Sequence, residues 1–299
     1  MAGAGPLRAA RPRLVAGMLI QLLNGLVYGG LLYILAVGLV LIFGLRRVVN
    51  FAHGSLFTVG AYVGFTVTSV AGFWAGLAVS VCVLTVIGAA LDRFVFRPLQ
   101  DEDPIVTMLV TFGLLLVLED AVRTIWGKEF LTVQPPAILS GVVHLTGTSF
   151  PVYRLAVIGV AILVAGGLSL WLRFSRVGLY VRASSVDPLT TGMQGVDTDR
   201  LSATVVAIGA GLAGLSGTIA APLLALSPSM GGSILIDSFV VVVTGGLGSF
   251  TGAFIAAMVI GQLHNLGVVF VPEAASMIPL VLMVLVLIWR PGGLAKAGA

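Results

Sequence analysis

From Leu14 to Leu45 the chain carries no charged residue, and from Ser55 to Leu91 it again carries none. A helix crossing a bilayer needs about 20 apolar residues, so each run is too long for one upright span. Asn24-Gly25 and Gly29-Gly30 interrupt the first run and Gly72 the second, and the pattern predicts two crossings in each, one long tilted helix being the alternative for the first. Asp92 to Pro104 holds Arg93, Arg97 and several acids, and Ile105 to Leu118 forms a further span ending at Glu119 and Asp120. The polar stretch from Ala121 to Arg154, with Pro135-Pro136, reads as an extramembrane loop, after which Leu155 to Leu172 crosses back.

The chain then enters an arginine-rich segment, 173–200, which the positive-inside rule places in the cytoplasm. Beyond it come an apolar run to Leu226, a polar patch from Ser227 to Ser233, a run from Ser238 to Phe270 broken by Gly245 to Ser249, and a last span ending at Trp289-Arg290-Pro291. The pattern therefore predicts an all-α integral membrane protein, a polytopic helical bundle of about 8 to 10 transmembrane segments, some of them broken. Counting ten puts both ends in the cytoplasm, Arg8, Arg11 and Arg13 at one and Arg290 and Lys296 at the other. The first 20 residues resemble a signal sequence superficially, but no cleavage-like site follows, and the segment is expected to stay.

Composition removes the soluble alternatives. Of 299 residues 58% are hydrophobic and 9% charged, against about 25% charged in an average soluble domain. The mean hydropathy is +1.12, more apolar surface than a core of this size can hide. The net charge of +4 is spread over loops and reads as topology, with no call for nucleic acid. A single cysteine, Cys82, excludes an internal disulfide, and His53, His144 and His264 have no metal-ligand spacing. No cofactor is expected, and no paired His, Cys or carboxylates at catalytic spacing suggest an enzyme.

Two places put glycines and polar residues where hydropathy asks for continuous helix: Arg46 to Ser55 and Thr244 to Ser249. Unpaired backbone groups cost several kcal/mol each in lipid, so such breaks persist only inside protein or along a wet cavity. Asn50, His53 and Ser55 with Gly245, Gly246, Gly248 and Ser249 are accordingly candidates for a translocation pathway. The plainer readings are an interfacial loop for Asn50 and His53, and a topology anchor for Arg46-Arg47. Gly209, Gly211, Gly214 and Gly217 suit close helix packing. His264 and Asn265 suit a partner- or pore-facing surface, and His144 a loop. Within the arginine segment, Asp187-Pro188 predicts a capped short helix to Met193, stopped at Gly195. Such a helix has nothing of its own to bury against and suits docking of another subunit. The chain has no GxxxxGK[ST] motif, so energy from ATP must enter through another subunit.

These strings resemble the permease subunits of ABC importers for branched-chain and related amino acids or amides. The string from Val49 to Gly54, with Gly60-Ala61-Tyr62 after it, is similar to that family's N-terminal signature. Ser175-Arg176, Gly178, Arg182-Ala183, Asp187, Gly195-Val196 and Asp199-Arg200 match its cytoplasmic loop, and Phe239 with Gly245 to Ser249 and Gly252-Ala253 its late signature. Asp237 departs from the pattern, standing where many members carry lysine; Thr191 replaces a usual alanine and Thr244 an aliphatic residue.

The resemblance implies a type II importer-like fold in one transmembrane domain, 1–299, of a bacterial plasma membrane. The loop would be the coupling helix, with Arg182, Asp187, Leu189, Met193 and Gly195 docking on an ATPase. It also implies two ATP-binding subunits, a second homologous permease subunit and an extracytoplasmic solute-binding protein, set in membrane lipid. An autonomous channel or ion-coupled secondary transporter is the alternative, disfavoured by the lack of midmembrane acid and base pairs. The patch from Ser227 to Asp237 is expected outside, with Asp237 at the extracellular mouth.

Overall fold

The computed structural model describes residues 7–145 and 148–295, with side chains from Gly17 onward except that of Leu145; Arg8, Arg11 and Arg13 as side chains, and Lys296 altogether, lie outside the described residues. Seven helices are long and apolar enough to cross a membrane, and two shorter apolar helices join them among the described residues. In chain order the helices are α1 (Leu7–Arg46), α2 (Ala52–Ala71), α3 (Phe73–Leu91), α4 (Pro104–Trp126), α5 (Val152–Phe174), α6 (Arg176–Val186), α7 (Pro188–Met193), α8 (Thr198–Ala220), α9 (Met230–Gly245), α10 (Phe250–Phe270) and α11 (Ile278–Trp289). A two-stranded antiparallel sheet, β1 (Val142–Leu145) and β2 (Thr148–Pro151), occupies the loop before α5.

The expected pair of crossings between Leu14 and Leu45 is one helix, α1, of 40 residues. Its glycines serve contact rather than breakage. A Cβ on Gly29 would lie 2.7 Å from the Ala257 carbonyl of α10, and one on Gly30 would lie 3.0 Å from Ala161 of α5. Asn24 is satisfied within the bundle, its Oδ1 accepting from Arg154 at 2.6 Å. Ile34, Leu35, Ala36, Val37, Val40 and Leu41 are fully buried, so α1 is apolar all round because protein surrounds it all round. A single α1 brings its end beside the arginine segment, where Arg47 donates to the Ser185 and Val186 carbonyls, and carries its start to the far end of the helix.

Gly72 does separate two spans, α2 and α3. The span after Pro104 runs further than expected, through Glu119 and Asp120 to Trp126, with Arg123 pairing Glu119 one turn away. The glycines of α8 pack as expected, Gly209 against the Gly38 carbonyl and Gly217 against that of Phe57.

At another close crossing in the bundle, α2 meets α9. A Cβ on Gly54 would lie 2.3 Å from the Gly231 carbonyl oxygen, and one on Gly231 would lie 2.6 Å from that of Gly54. Gly54→Ala is therefore expected to force the two helices apart and destabilise the protein by about 1–3 kcal/mol. Gly113→Ala, whose Cβ would meet nothing within 4 Å, should leave thermal unfolding in detergent unchanged and serves as the control.

Candidate functional site

The first break begins where α1 ends. Arg47 adopts φ 54° and turns the chain back toward the bundle, and Asn50 then organises the start of α2. Its Oδ1 accepts from the Ala52 amide at 3.0 Å and its carbonyl from the His53 amide at 3.2 Å. Orphan amides of a helix start are thereby satisfied away from water.

The depth of this break follows from its partners on two flanking helices. His53 Nε2 lies 3.0 Å from the Leu35 carbonyl, eleven residues before the end of α1. Facing a carbonyl, that nitrogen donates and carries the proton. The Phe51 amide donates to Thr111 Oγ1 at 3.3 Å, and Ser55 Oγ donates to the Leu115 carbonyl at 3.2 Å, both on α4. At 1.5 Å per residue, Leu35 and Leu115 each stand about 16 Å from the inner ends of their helices. The chain thus climbs from the end of α1 to a start of α2 packed well inside the ends of α1 and α4. Asn50, His53 and Ser55 are all buried, and Asn50 Nδ2 and His53 Nδ1 have no hydrogen-bond partner.

The second break lies elsewhere. α9 ends at Gly245, Gly246 takes φ 105°, and Ser249 caps α10 by accepting from the Gly252 amide at 3.1 Å. The chain's own C-terminal segment covers it: Leu294 and Ala295 amides donate to the Thr244 and Gly245 carbonyls at 2.9 and 3.1 Å. Gly54 meets Gly231, at the opposite end of α9 from Gly245 and about 20 Å away along the helix. The structure therefore does not bring Gly245, Gly246, Gly248 and Ser249 to Asn50 and His53. The start of α9, inside the polar patch from Ser227 to Ser233, takes that place.

Asp237 does not lie at an extracellular mouth. It falls within α9, and its carboxylate accepts from the Tyr28 hydroxyl of α1 at 2.8 Å. Tyr28 in turn stacks on His264 of α10 with ring centroids 4.5 Å apart. Asn265 faces α1 too, donating to the Gln21 carbonyl at 2.8 Å. His144 lies in β1, its Nδ1 3.0 Å from Ser149 Oγ.

The arginine segment forms two short helices. Ser175 caps α6 by accepting from the Gly178 amide, and Asp187 caps α7 by accepting from the Thr190 amide at 3.0 Å and its hydroxyl at 2.5 Å. Those two hydrogen bonds, the hydroxyl's first, hold the Asp187 carboxyl below the usual carboxylate range. The sequence reading of this helix holds to its ends: Pro188 opens it, Met193 closes it, and Gly195 takes φ 84° after it. Leu189 and Met193, four residues apart, are 71% and 75% exposed. Arg182 points inward instead, donating to the Leu172 carbonyl at the end of α5.

Sequence reasoning missed the ion pairs around Asp92. This residue is fully buried, and Arg46 Nη2 donates to it at 2.6 Å. Arg46 also donates to Ser202 Oγ at 2.8 Å and the Phe96 carbonyl at 3.0 Å, so it is a structural hub and not a simple topology anchor. Arg97 bridges Asp92 at 3.3 Å and Asp199 at 3.7 Å. The available signal was an aspartate ending an uncharged span with arginines on either side. Beside this network lies a cavity of about 340 Å³, lined among others by Val48, Thr107, Ser184 and Pro188.

The comparisons agree with this architecture. A family model described as "Branched-chain amino acid transport system / permease component" matches residues 21–287. The high-affinity branched-chain amino acid transport system permease protein BraD of Pseudomonas aeruginosa is 28% identical, over 92% of this chain and 94% of that protein. The corresponding permease protein LivH of Escherichia coli is 26% identical over the same shares. A probable branched-chain amino acid transport permease protein LivH of Methanocaldococcus jannaschii is 27% identical, over 91% of this chain and 90% of its own. No solved structure matches the chain. With the match running through every membrane helix from α2 to α10 and most of α1 and α11, the chain is a multi-pass membrane protein belonging to the family of branched-chain amino acid transport system permease components.

Proposed function

We propose that this chain is the permease subunit of an ATP-driven ABC importer of the type II-like class, carrying leucine, isoleucine, valine or a closely related amino acid across the plasma membrane. The observation that carries the reading is α7: a capped helix of six residues on the cytoplasmic side, with Leu189 and Met193 exposed. Exposed apolar side chains on a short surface helix fit a binding groove on another subunit. The permease does no covalent chemistry in this account. ATP hydrolysis belongs to two partner subunits, affinity for the solute to an extracytoplasmic binding protein, and the other half of the path to a second, homologous permease subunit.

The NFAHG break, 50–54, supplies the path with its movable part. The Phe51 amide is held by the Thr111 hydroxyl of α4 and the His53 ring by the Leu35 carbonyl of α1, and the partnerless Asn50 and His53 nitrogens are available to a passing polar solute. Gly245 to Ser249, closed by the C-terminal segment, serve as a hinge at the base of α10 rather than as path lining. Purification of the tagged chain from its native membrane tests the assembly. ATP-binding subunits, a second permease subunit and a binding protein that retains a branched-chain amino acid are expected with it. Recovery of the chain alone, active in solute flux without ATP, would instead establish the channel or carrier.

A further inference from the structure

Arg47 joins the two parts of the molecule that an importer must couple. Its backbone forms the turn between α1 and the NFAHG break, and it is the one described residue other than glycine with positive φ, at 54°. The Cβ of any L-residue crowds the backbone in that region, so surrounding contacts must hold the turn in place. Its guanidinium reaches the other part. It donates to the carbonyls of Ser185 and Val186 at 3.0 and 3.3 Å. Those are the last carbonyls of α6, immediately before Asp187 caps α7. Both bonds come from Nη2, and a cationic donor suits the carbonyls at a helix end, which otherwise lack intrahelical partners.

The surroundings make this tether directional. Arg46, one residue earlier, is fixed by Asp92, Ser202 and the Phe96 carbonyl, so α1 cannot follow a displacement easily. Val48, one residue later, lines the cavity of about 340 Å³ that Ser184 and Pro188 also line. A shift of α6 and α7 therefore meets a rigid stop on one side of Arg47 and open space on the other. Asn50, which organises the start of α2, is three residues along on the open side.

We infer that Arg47 is the positioning residue that transmits movement of the docking helix α7 to the NFAHG break, an inference that rests on the proposed docking of an ATPase at α7. The test uses the copurified complex with Cys82→Ser, since Cys82 is exposed, and two reporter cysteines in separate preparations. Leu189→Cys reports docking by crosslinking to the ATPase, and Val48→Cys reports the break by its rate of modification with a water-soluble thiol reagent.

With Arg47 present, Mg-ATP is expected to change the Val48→Cys rate roughly tenfold, as closure of a polar cavity against a small reagent would. Arg47→Asn tolerates positive φ but cannot span to both carbonyls. It should keep the Leu189→Cys crosslink and hold the ATP response within about twofold of none, while Arg47→Lys, which keeps a cationic donor, restores part of it. A full response in Arg47→Asn overturns the inference, as does a parent complex whose Val48→Cys rate ignores ATP. If Arg47→Asn and the longer, uncharged Arg47→Gln both lose the crosslink, Arg47 only holds the docking helix in place, and transmission is wrong. Absence of the crosslink with Arg47 intact points instead to failure of the docking reading itself.

Discussion

Replacing Arg46 by alanine is expected to cost about 3 kcal/mol of stability, the low end of what breaking a buried ion pair does. Asp92 is fully buried, and Arg46 is its shorter ionic partner at 2.6 Å. Removing the guanidinium leaves a carboxylate in low dielectric with Arg97 at 3.3 Å and the Ser202 hydroxyl at 2.7 Å as its remaining support. The substitution also orphans the Phe96 carbonyl. Arg97→Ala should cost much less, about 1 kcal/mol, because that side chain is more exposed and Arg46 continues to neutralise Asp92. Unfolding titrations of the two variants in mixed micelles would separate them. Equal losses would show that Asp92 draws no more from Arg46 than from Arg97.

The second large effect concerns association rather than folding. Leu189→Asp combined with Met193→Asp is expected to weaken capture of the ATPase by roughly a hundredfold or more, since two anchors in a desolvated groove commonly contribute about 2 kcal/mol each. Both side chains are already exposed, at 71% and 75%, so the fold should not change. The measurement is binding of the ATPase to immobilised permease, with the thermal transition of the variant as the check on folding. Undiminished binding would place the docking surface outside α7.

Helix starts and stops were legible in the sequence wherever local chemistry decides them. Asp187, Pro188 and Gly195 bound α7 because cap, fixed φ and left-handed turn act within a few residues, and Gly72 splits α2 from α3 for the same reason. The misreading of α1 is the instructive opposite. Gly25, Gly29 and Gly30 carry the composition of a break, but what they do depends on α5 and α10, more than a hundred residues away. Asp237 failed in the same manner: its partner Tyr28 is 209 residues distant, and hydropathy alone cannot distinguish a carboxylate satisfied inside a bundle from one outside it.

Within the candidate site, the NFAHG string was legible as a break because lipid forbids irregular backbone without partners. Its depth was not, because Leu35, Thr111 and Leu115 supply the partners from other helices. Grouping the two glycine-rich breaks in one pathway follows from their shared composition of glycine and polar residues. Both strings do open helices, α2 and α10, yet the chain's end at Leu294 and Ala295 occupies one while Gly231 meets the other.

The central claim is that this chain moves solute only as part of an ATP-driven assembly, and uptake by proteoliposomes tests it most directly. Vesicles holding the complete complex, with ATP inside and leucine-loaded binding protein outside, are predicted to accumulate radiolabelled leucine above its external concentration. Omitting ATP, the ATPase or the binding protein should reduce accumulation to that of empty vesicles. Accumulation or flux of leucine by vesicles holding the permease chain alone would contradict the account.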